Sequence, residues 1–466
     1  LALVCHKPFF HPLKFVLREN MGKQIIIIGG GPAGIEAARA AAKAGSSVTL
    51  VSEGPVGGRS GWHSLLPSKV WLSAADTAGL LAESPFSGSG GVPTPADILP
   101  HLQQLKQQWN GQQAEELAKL GVTIVNGVAA FTSANSVVVN DGDGQPVTIL
   151  TGDAIIVATG SVPFFPPSLK PNGKTVIAPR FFSGLKSLPG SIVVIGAGAT
   201  GVETVYLFNR LGLAVTWIVD QYGVLPDYPP AAGELMAEIL VKRGVTLVQG
   251  TLAEHFEEEE DGIAVVLADG SRYVACLAFV AIGRTSDLSR LNLEAAGLSL
   301  AGSPFPAIDP FCQTSVPGLY AVGDAAGPPM VANRAMAMAR VAGLHAAGAA
   351  VAPYKPETVV TAVYAEPQVA KVGTTNTDDG SIHTVRLGFG AVMKAHLLGE
   401  REGFVELAFD GARKVVGGTA VGPHAGDVLA PVALAIQVGA SLDDLAAIFA
   451  AHPTLSELAF AAARTA

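Results

Sequence analysis

Two glycine clusters carry the first legible chemistry of this chain. Gly29, Gly31 and Gly34, with Pro32 and Ala33 between them, follow the apolar run Gln24-Ile-Ile-Ile-Ile28 and lead into an alanine-rich segment. Gly196, Gly198 and Gly201 repeat the arrangement after Ser191-Ile-Val-Val-Ile195. In such a strand-turn-helix unit the first glycine allows the tight turn, the second lets backbone approach a pyrophosphate, and the third lets the helix pack on the sheet. Free N–H groups at the helix start, together with its dipole, then bind the phosphates. Each unit has an acid at the end of its next apolar run: Glu53 after Ser47 to Val51, and Asp220 after Ala214 to Val219. An acid there accepts hydrogen bonds from ribose hydroxyls. Two dinucleotide folds are therefore expected. A carboxylate at Asp220 repels a 2′-phosphate, and no arginine follows in Gln221-Tyr222-Gly223, so NADH is favoured over NADPH.

The elements that must hold these turns come from a chain of 466 residues, long enough for several domains. Charged residues are only 15% and mean hydropathy is +0.39, yet Gly, Pro or charge interrupts every apolar run before the roughly 20 residues of a spanning helix. No transmembrane segment is expected. A formal net charge of −9 without a basic cluster argues against nucleic acid or an anionic membrane, leaving small molecules or proteins as partners. Cys5, Cys276 and Cys312 are far apart and form no metal-ligand pattern, which suits a reducing, cytoplasmic setting. Residues 1–20 lack the pattern of a signal peptide and read as a tag or non-native extension, with Met21 the expected start. Pro85 to Pro100 reads as a loop and His101 to Leu120 as a helix, followed by short alternating strands, a strand at Gly318 to Val322, and an α+β segment from about Pro353.

With these units in place, the sequence resembles the pyridine nucleotide–disulfide oxidoreductases, over about Lys23 to Glu457. The resemblance rests on Gly29 to Gly34; Gly57-Gly58 followed by Pro67-Ser68-Lys69; Ala158-Thr159-Gly160; Gly196 to Glu203; Ala281-Ile-Gly283-Arg284; Gly318 to Gly323-Asp324; Tyr364-Ala-Glu-Pro367 through Gly373; and His452-Pro-Thr-Leu-Ser-Glu457. It implies an α/β protein with two Rossmann-like dinucleotide-binding domains, one for FAD and one for NAD, and a C-terminal α+β dimerisation domain. The expected boundaries are 21–165 and 286–350 for a split FAD domain, 166–285 for the NAD domain and 351–466 for dimerisation. A homodimer is implied.

One departure matters most. The family carries two cysteines, separated by four residues, between Gly58 and Pro67; here the stretch reads Arg59-Ser60-Gly61-Trp62-His63-Ser64-Leu65-Leu66. Ser60 stands at the cysteine that exchanges with substrate and Leu65 at the one that meets the flavin. Neither a hydroxyl nor an isobutyl group can perform thiol–disulfide exchange or store two electrons. Other family positions are kept. Lys69 and Glu203 match the ion pair beside the flavin, Asp324 the aspartate on its ribityl chain, and Met330, Val331 and Ala332 the helix start facing its pyrimidine end. The resemblance extends cofactor contact to Gly58, Arg59, Ser60, Thr159, Gly160, Gly283, Arg284 and Gly323. His452 and Glu457 match an acid/base pair that reaches the partner subunit's site. Ala199 replaces a bulky gate of the nicotinamide pocket. Trp62 and His63 are expected to fill the volume of the lost disulfide or to stack on a planar acceptor, and Met336 and Met338 to be core.

The expected activity is FAD-dependent NAD(P)H oxidation with electrons passing to a non-disulfide small-molecule acceptor such as a quinone. Dihydrolipoamide dehydrogenase-like turnover, soluble transhydrogenation and a non-catalytic flavoprotein remain alternatives.

Overall fold

The computed structural model describes residues 22–83, 91–300, 302–375, 380–399 and 401–466. The reading of residues 1–20, and Cys5 with them, lies outside the described residues. Continuous apolar runs form the centres of two parallel sheets, as strands buried on both faces must. In the first, Gln24–Ile28 is flanked by Ser47–Ser52 and Ala154–Val157, with Thr123–Asn126 and Leu319–Ala321 at the edges. The last strand comes from beyond the second unit, so the chain leaves this sheet and returns to it. In the second, Ser191–Ile195 sits between Ala214–Val219 and Leu277–Val280, with Thr246–Gln249 and Val176–Ile177 outside. Each unit also has an antiparallel three-stranded sheet. The C-terminal part is a five-stranded antiparallel sheet in the order Thr361–Val363, Gln368–Gly373, Val415–Gly422, Phe404–Asp410, Ile382–Gly388, covered by short helices.

The helix expected from His101 begins earlier, at Pro95, and runs to Lys119. Thr94 is the reason: Asp97 accepts from its backbone N–H and hydroxyl, a capping box, and Pro95 occupies the first turn, where its missing N–H costs nothing. Composition alone reads this Pro-rich start as loop.

Helix Leu65–Glu83 joins the units. Its Trp71 is wholly buried in the core of the second unit beside Phe182, and its indole N–H donates to the Phe182 carbonyl at 2.9 Å. Lys69, two residues earlier, is thereby held in register with helix Ala199–Arg210, which carries Glu203. Trp71→Ala is expected to cost about 3–5 kcal/mol, readable in chemical unfolding.

The glycine turns explain themselves sterically. Gly29 sits at φ +118, and a Cβ on Gly34 would lie 1.7 Å from the Gly29 carbonyl oxygen. Nothing lies within 4 Å of a Cβ on Gly31. The second turn repeats this: Gly196 at φ +113, Gly201 2.0 Å from the Gly196 oxygen, Gly198 open. Gly34→Ala should therefore destabilise the chain by about 3 kcal/mol, as overpacking does. Gly31→Ala should change apoprotein stability by no more than about 0.5 kcal/mol while weakening phosphate binding. Thermal unfolding of the two apo variants separates these outcomes.

Candidate active site

A cavity of about 1190 Å³ opens at the carboxyl ends of the first sheet's strands, where ligands bind in parallel α/β folds. It exceeds the roughly 300–1,000 Å³ of ordinary small-molecule pockets and has room for a dinucleotide. Of the residues singled out from the sequence, Gly29, Gly31, Pro32, Ala33, Glu53, Gly58, Arg59, Ser60, Lys69, Thr159, Gly160, Glu203, Arg284, Asp324, Met330, Val331 and Ala332 line it. Gly34 and Gly323 do not line it; they bring elements together, and a Cβ on Gly323 would sit 2.7 Å from that of Ala335. Gly196, Gly198, Gly201, Asp220 and Gly283 belong to the second turn and its surroundings. His452 and Glu457 lie outside the cavity of their own chain.

The cavity has a charged end. Glu53 accepts from both terminal nitrogens of Arg290, at 2.8 and 2.6 Å, which is the main reason its carboxyl is held below the usual range. Arg59 donates to Asp287 at 2.6 Å. Asp287 and Arg290 were not legible: they lie over 220 residues from their partners, in a segment with no local motif. Deeper in, the Arg284 Nε donates to Ser161 Oγ at 2.7 Å, and Ser161 Oγ donates to Asp324 at 2.5 Å. Arg284, expected as a cofactor contact, is thus tied into the first unit by its own strand, Arg284–Ser286, which pairs with Ser161–Pro163. Burial draws the Arg284 guanidinium below its ordinary value.

Further along the cavity Lys69 Nζ donates to Glu203 Oε1 at 2.6 Å. The same oxygen accepts the Tyr364 backbone N–H at 3.0 Å, and the Tyr364 ring lies 4.3 Å from the ammonium. One end of the pair comes from each helix, and the third group from the C-terminal part. Ala199 lines the cavity beside it, in place of a larger side chain. Asp76, two turns beyond Lys69 on the same helix face, also lines the cavity and accepts from the buried Tyr206 hydroxyl at 2.6 Å. Burial, ahead of the opposing Tyr206 hydrogen bond, raises its carboxyl above the ordinary 3.8. A carboxyl raised in the folded state stabilises the fold while protonated, and that contribution is lost as pH rises through the raised value. Asp76→Asn, which still accepts from Tyr206, should therefore raise Tm at pH 7 relative to the parent and narrow the difference at pH 4.

Among the described residues no cysteine lines the cavity. Cys276 and Cys312 are free, one exposed and one buried with its thiol pushed up to about 12 by burial. The Ser60 hydroxyl donates to the Gly57 carbonyl at 3.2 Å. Trp62 and His63 both line the cavity, and Met336 does too, 40% exposed, whereas Met338 is core as expected. Met336 is thus a correction: it sits near the start of helix Ala332–Ala346, where the helix faces the cavity before it reaches the sheet.

His452 is 59% exposed, with its Nδ1 2.9 Å from Glu457 Oε1; the other carboxylate oxygen accepts the Thr454 N–H at 2.8 Å. The Thr454 amide first, then His452, holds the Glu457 carboxyl below its usual range. The carboxylate therefore stays ionised and fixes the imidazole.

Residues 23–339 match the model of the family described as pyridine nucleotide-disulphide oxidoreductase, and residues 359–463 match its dimerisation domain. The chain belongs to this family. It is 32% identical over 470 residues to dihydrolipoyl dehydrogenase 2 of Haloarcula marismortui, covering 96% of this chain and 97% of that protein. It is 30% identical over 463 residues to an NAD(P)H dehydrogenase (quinone) of Mycobacterium tuberculosis, covering 95% and 94%. Its fold superposes on the crystal structure of LpdA from Mycobacterium tuberculosis with a TM-score of 0.90 at 29% identity, over 95% of this chain and 99% of that one. The E. coli flavoprotein disulfide reductase RclA shares the fold, with a TM-score of 0.83 at 21% identity.

The fold class and the family's cofactors, FAD and NAD(H), follow from this membership. The cavity fits FAD on its own terms. Thr159 Oγ1 is buried at its wall with no hydrogen-bond partner, and helix Pro32–Lys43 starts at Gly31 with no side-chain cap, leaving N–H groups for a phosphate. At the second turn Asp220 is half-buried and accepts the Tyr222 N–H at 3.0 Å, leaving its other oxygen for a ribose. Among the described residues no cluster could hold a metal ion, and no helix is long and apolar enough to cross a membrane.

Proposed function

We propose that this member of the family oxidises NADH and delivers the electrons to a non-disulfide acceptor, a quinone or similar planar oxidant, without a dithiol relay. The observation that carries the reading is the Lys69–Glu203 pair on the cavity wall of a chain whose disulfide positions are Ser60 and Leu65. When bound, FAD accepts two electrons from NADH and releases them to the acceptor. Gly29 to Gly34, Thr159 and Asp324 would hold it, with Arg59 and Glu53 at the charged end. Lys69 keeps a positive charge in the cavity, and Glu203, pinned by the Tyr364 amide, keeps the ammonium from swinging out. The overall reaction balances as NADH, a proton and quinone giving NAD⁺ and hydroquinone. Its extra proton comes from solvent, and His452, oriented by Glu457 and presented across a homodimer, is placed to pass it on. The M. tuberculosis relative bearing the quinone name supports the acceptor class.

Anaerobic titration of oxidised protein with NADH tests the missing relay. A flavin alone takes two electrons, so one equivalent of NADH per FAD should complete the bleach. A requirement for two equivalents would reveal a second two-electron store and defeat the reading. Asp220→Ala should lower the NADH-to-NADPH ratio of kcat/KM about tenfold, the value of roughly one charged hydrogen bond.

A further inference from the structure

Beside the wall that stands in for the disulfide lies one nearly buried ammonium with no carboxylate partner among the described residues. Trp62 closes helix Gly58–Trp62 and lines the cavity, its indole N–H fixed to the Val56 carbonyl at 2.8 Å. Lys106 does not itself line the cavity, but from helix Pro95–Lys119 its ammonium approaches that ring to 5.7 Å. Lys106 is only 7% exposed, and its hydrogen bond is a long one, 3.4 Å, to the Ser183 hydroxyl; among the described residues no carboxylate pairs with it. His63, next to Trp62, also lines the cavity and finds no side-chain hydrogen bond among the described residues. Burial first, then Lys106, Arg180 and Arg59, hold its imidazole below the ordinary 6.5. Arg59 is neutralised by Asp287, and Arg180, exposed and outside the lining, lies over the Phe181 ring.

A nearly buried ammonium with one long hydrogen bond and no carboxylate beside it carries a desolvation cost that a nearby bound anion would offset. A fixed indole offers a planar partner a face on which to stack. A neutral imidazole can donate one N–H to an oxyanion. Simple filling of the lost disulfide's volume would need apolar groups and no charge.

We propose that Trp62 and His63, with the Lys106 ammonium close by outside the lining, form a binding site for a planar acceptor that carries a negative charge, such as a quinone bearing a sulfonate, carboxylate or acidic hydroxyl. The site stacks the ring on Trp62 and places the anionic substituent toward His63 and Lys106. This rests on the direct-transfer reading above and narrows its substrate class.

The test compares 1,4-naphthoquinone-2-sulfonate with 2-methyl-1,4-naphthoquinone as acceptors for the FAD-loaded protein and its Lys106→Met and Lys106→Arg variants. Each acceptor is compared with itself across variants, so differences in potential between the quinones drop out. Lys106→Met should lower the anionic-to-neutral ratio of kcat/KM about tenfold, and Lys106→Arg, which keeps the charge, should restore most of it. A ratio unchanged in Lys106→Met overturns the proposal. Loss of FAD from Lys106→Met without a change in ratio also overturns it, by assigning the ammonium to the cofactor. Equilibrium binding of the sulfonate to oxidised protein, by calorimetry, separates the two readings. If neither quinone is turned over but binding weakens tenfold in Lys106→Met, the direct-transfer reading fails and the anion site stands; if binding does not respond, the site fails.

Discussion

Replacing Lys69 by Met is expected to slow reduction of the flavin by NADH about 10²-fold or more, the scale seen when one preorganised charge is removed from a reaction centre. Methionine keeps the length of the stem and so the packing beside Trp71, but removes the ammonium that Glu203 holds at 2.6 Å. Two effects then add. The cavity loses the positive charge that favours an electron-rich flavin, and the partly buried Glu203 carboxylate is left uncompensated. Glu203→Gln should be milder, because the positive charge survives and the Tyr364 amide can still be accepted. Anaerobic stopped-flow following the oxidised flavin band reads both variants directly, and a Lys69→Met rate equal to the parent's would remove the role assigned to the pair.

The second large effect belongs to the other half-reaction. His452→Ala is expected to slow reoxidation of the reduced protein by quinone about 10²-fold, within the range of a positioned proton donor. Glu457→Gln should cost less, about tenfold, since it weakens orientation without deleting the imidazole. His452 is 59% exposed and lies outside its own chain's cavity, so the account needs a second subunit to bring it to the acceptor. Dilution to monomer should therefore reproduce the His452→Ala defect in the parent protein. Reoxidation rates that are indifferent to both changes would make the His452–Glu457 contact a purely structural one.

How much of this was legible depends on how far apart the partners lie. The glycine turns are local: their φ values and close approaches involve residues within one strand-turn-helix unit, or the strand beside it, and spacing alone reveals them. The strand Ala214–Val219 and the helix start at Pro32 follow from apolar runs and a proline in its favoured place. Lys69 and Glu203 are 134 residues apart and were readable only through the family pattern. Nothing in the sequence marked Tyr364 as the group that pins Glu203, although it sits in a segment the resemblance covers. Arg290 and Asp287 pair across more than 220 residues, and no composition signal announces them. The cationic wall was hidden for a related reason. Trp62 and His63 stand out as unusual at the lost disulfide, but Lys106, on a helix that the sequence does announce, carries no mark of its approach to Trp62.

That wall gives the missing disulfide a physical sense. Ser60 and Leu65 fill the two cysteine positions without supplying a thiol. Between them an indole held by one hydrogen bond and an imidazole face the cavity, and Ala199 lines it near Glu203.

The most direct test of the central claim is NADH oxidation by the FAD-loaded protein with lipoamide and a soluble quinone offered as separate acceptors under otherwise identical conditions. Electrons passing straight from the flavin site predict rapid turnover with the quinone and none with lipoamide. Lipoamide turnover would contradict the account, because it would require a dithiol that Ser60 and Leu65 cannot supply.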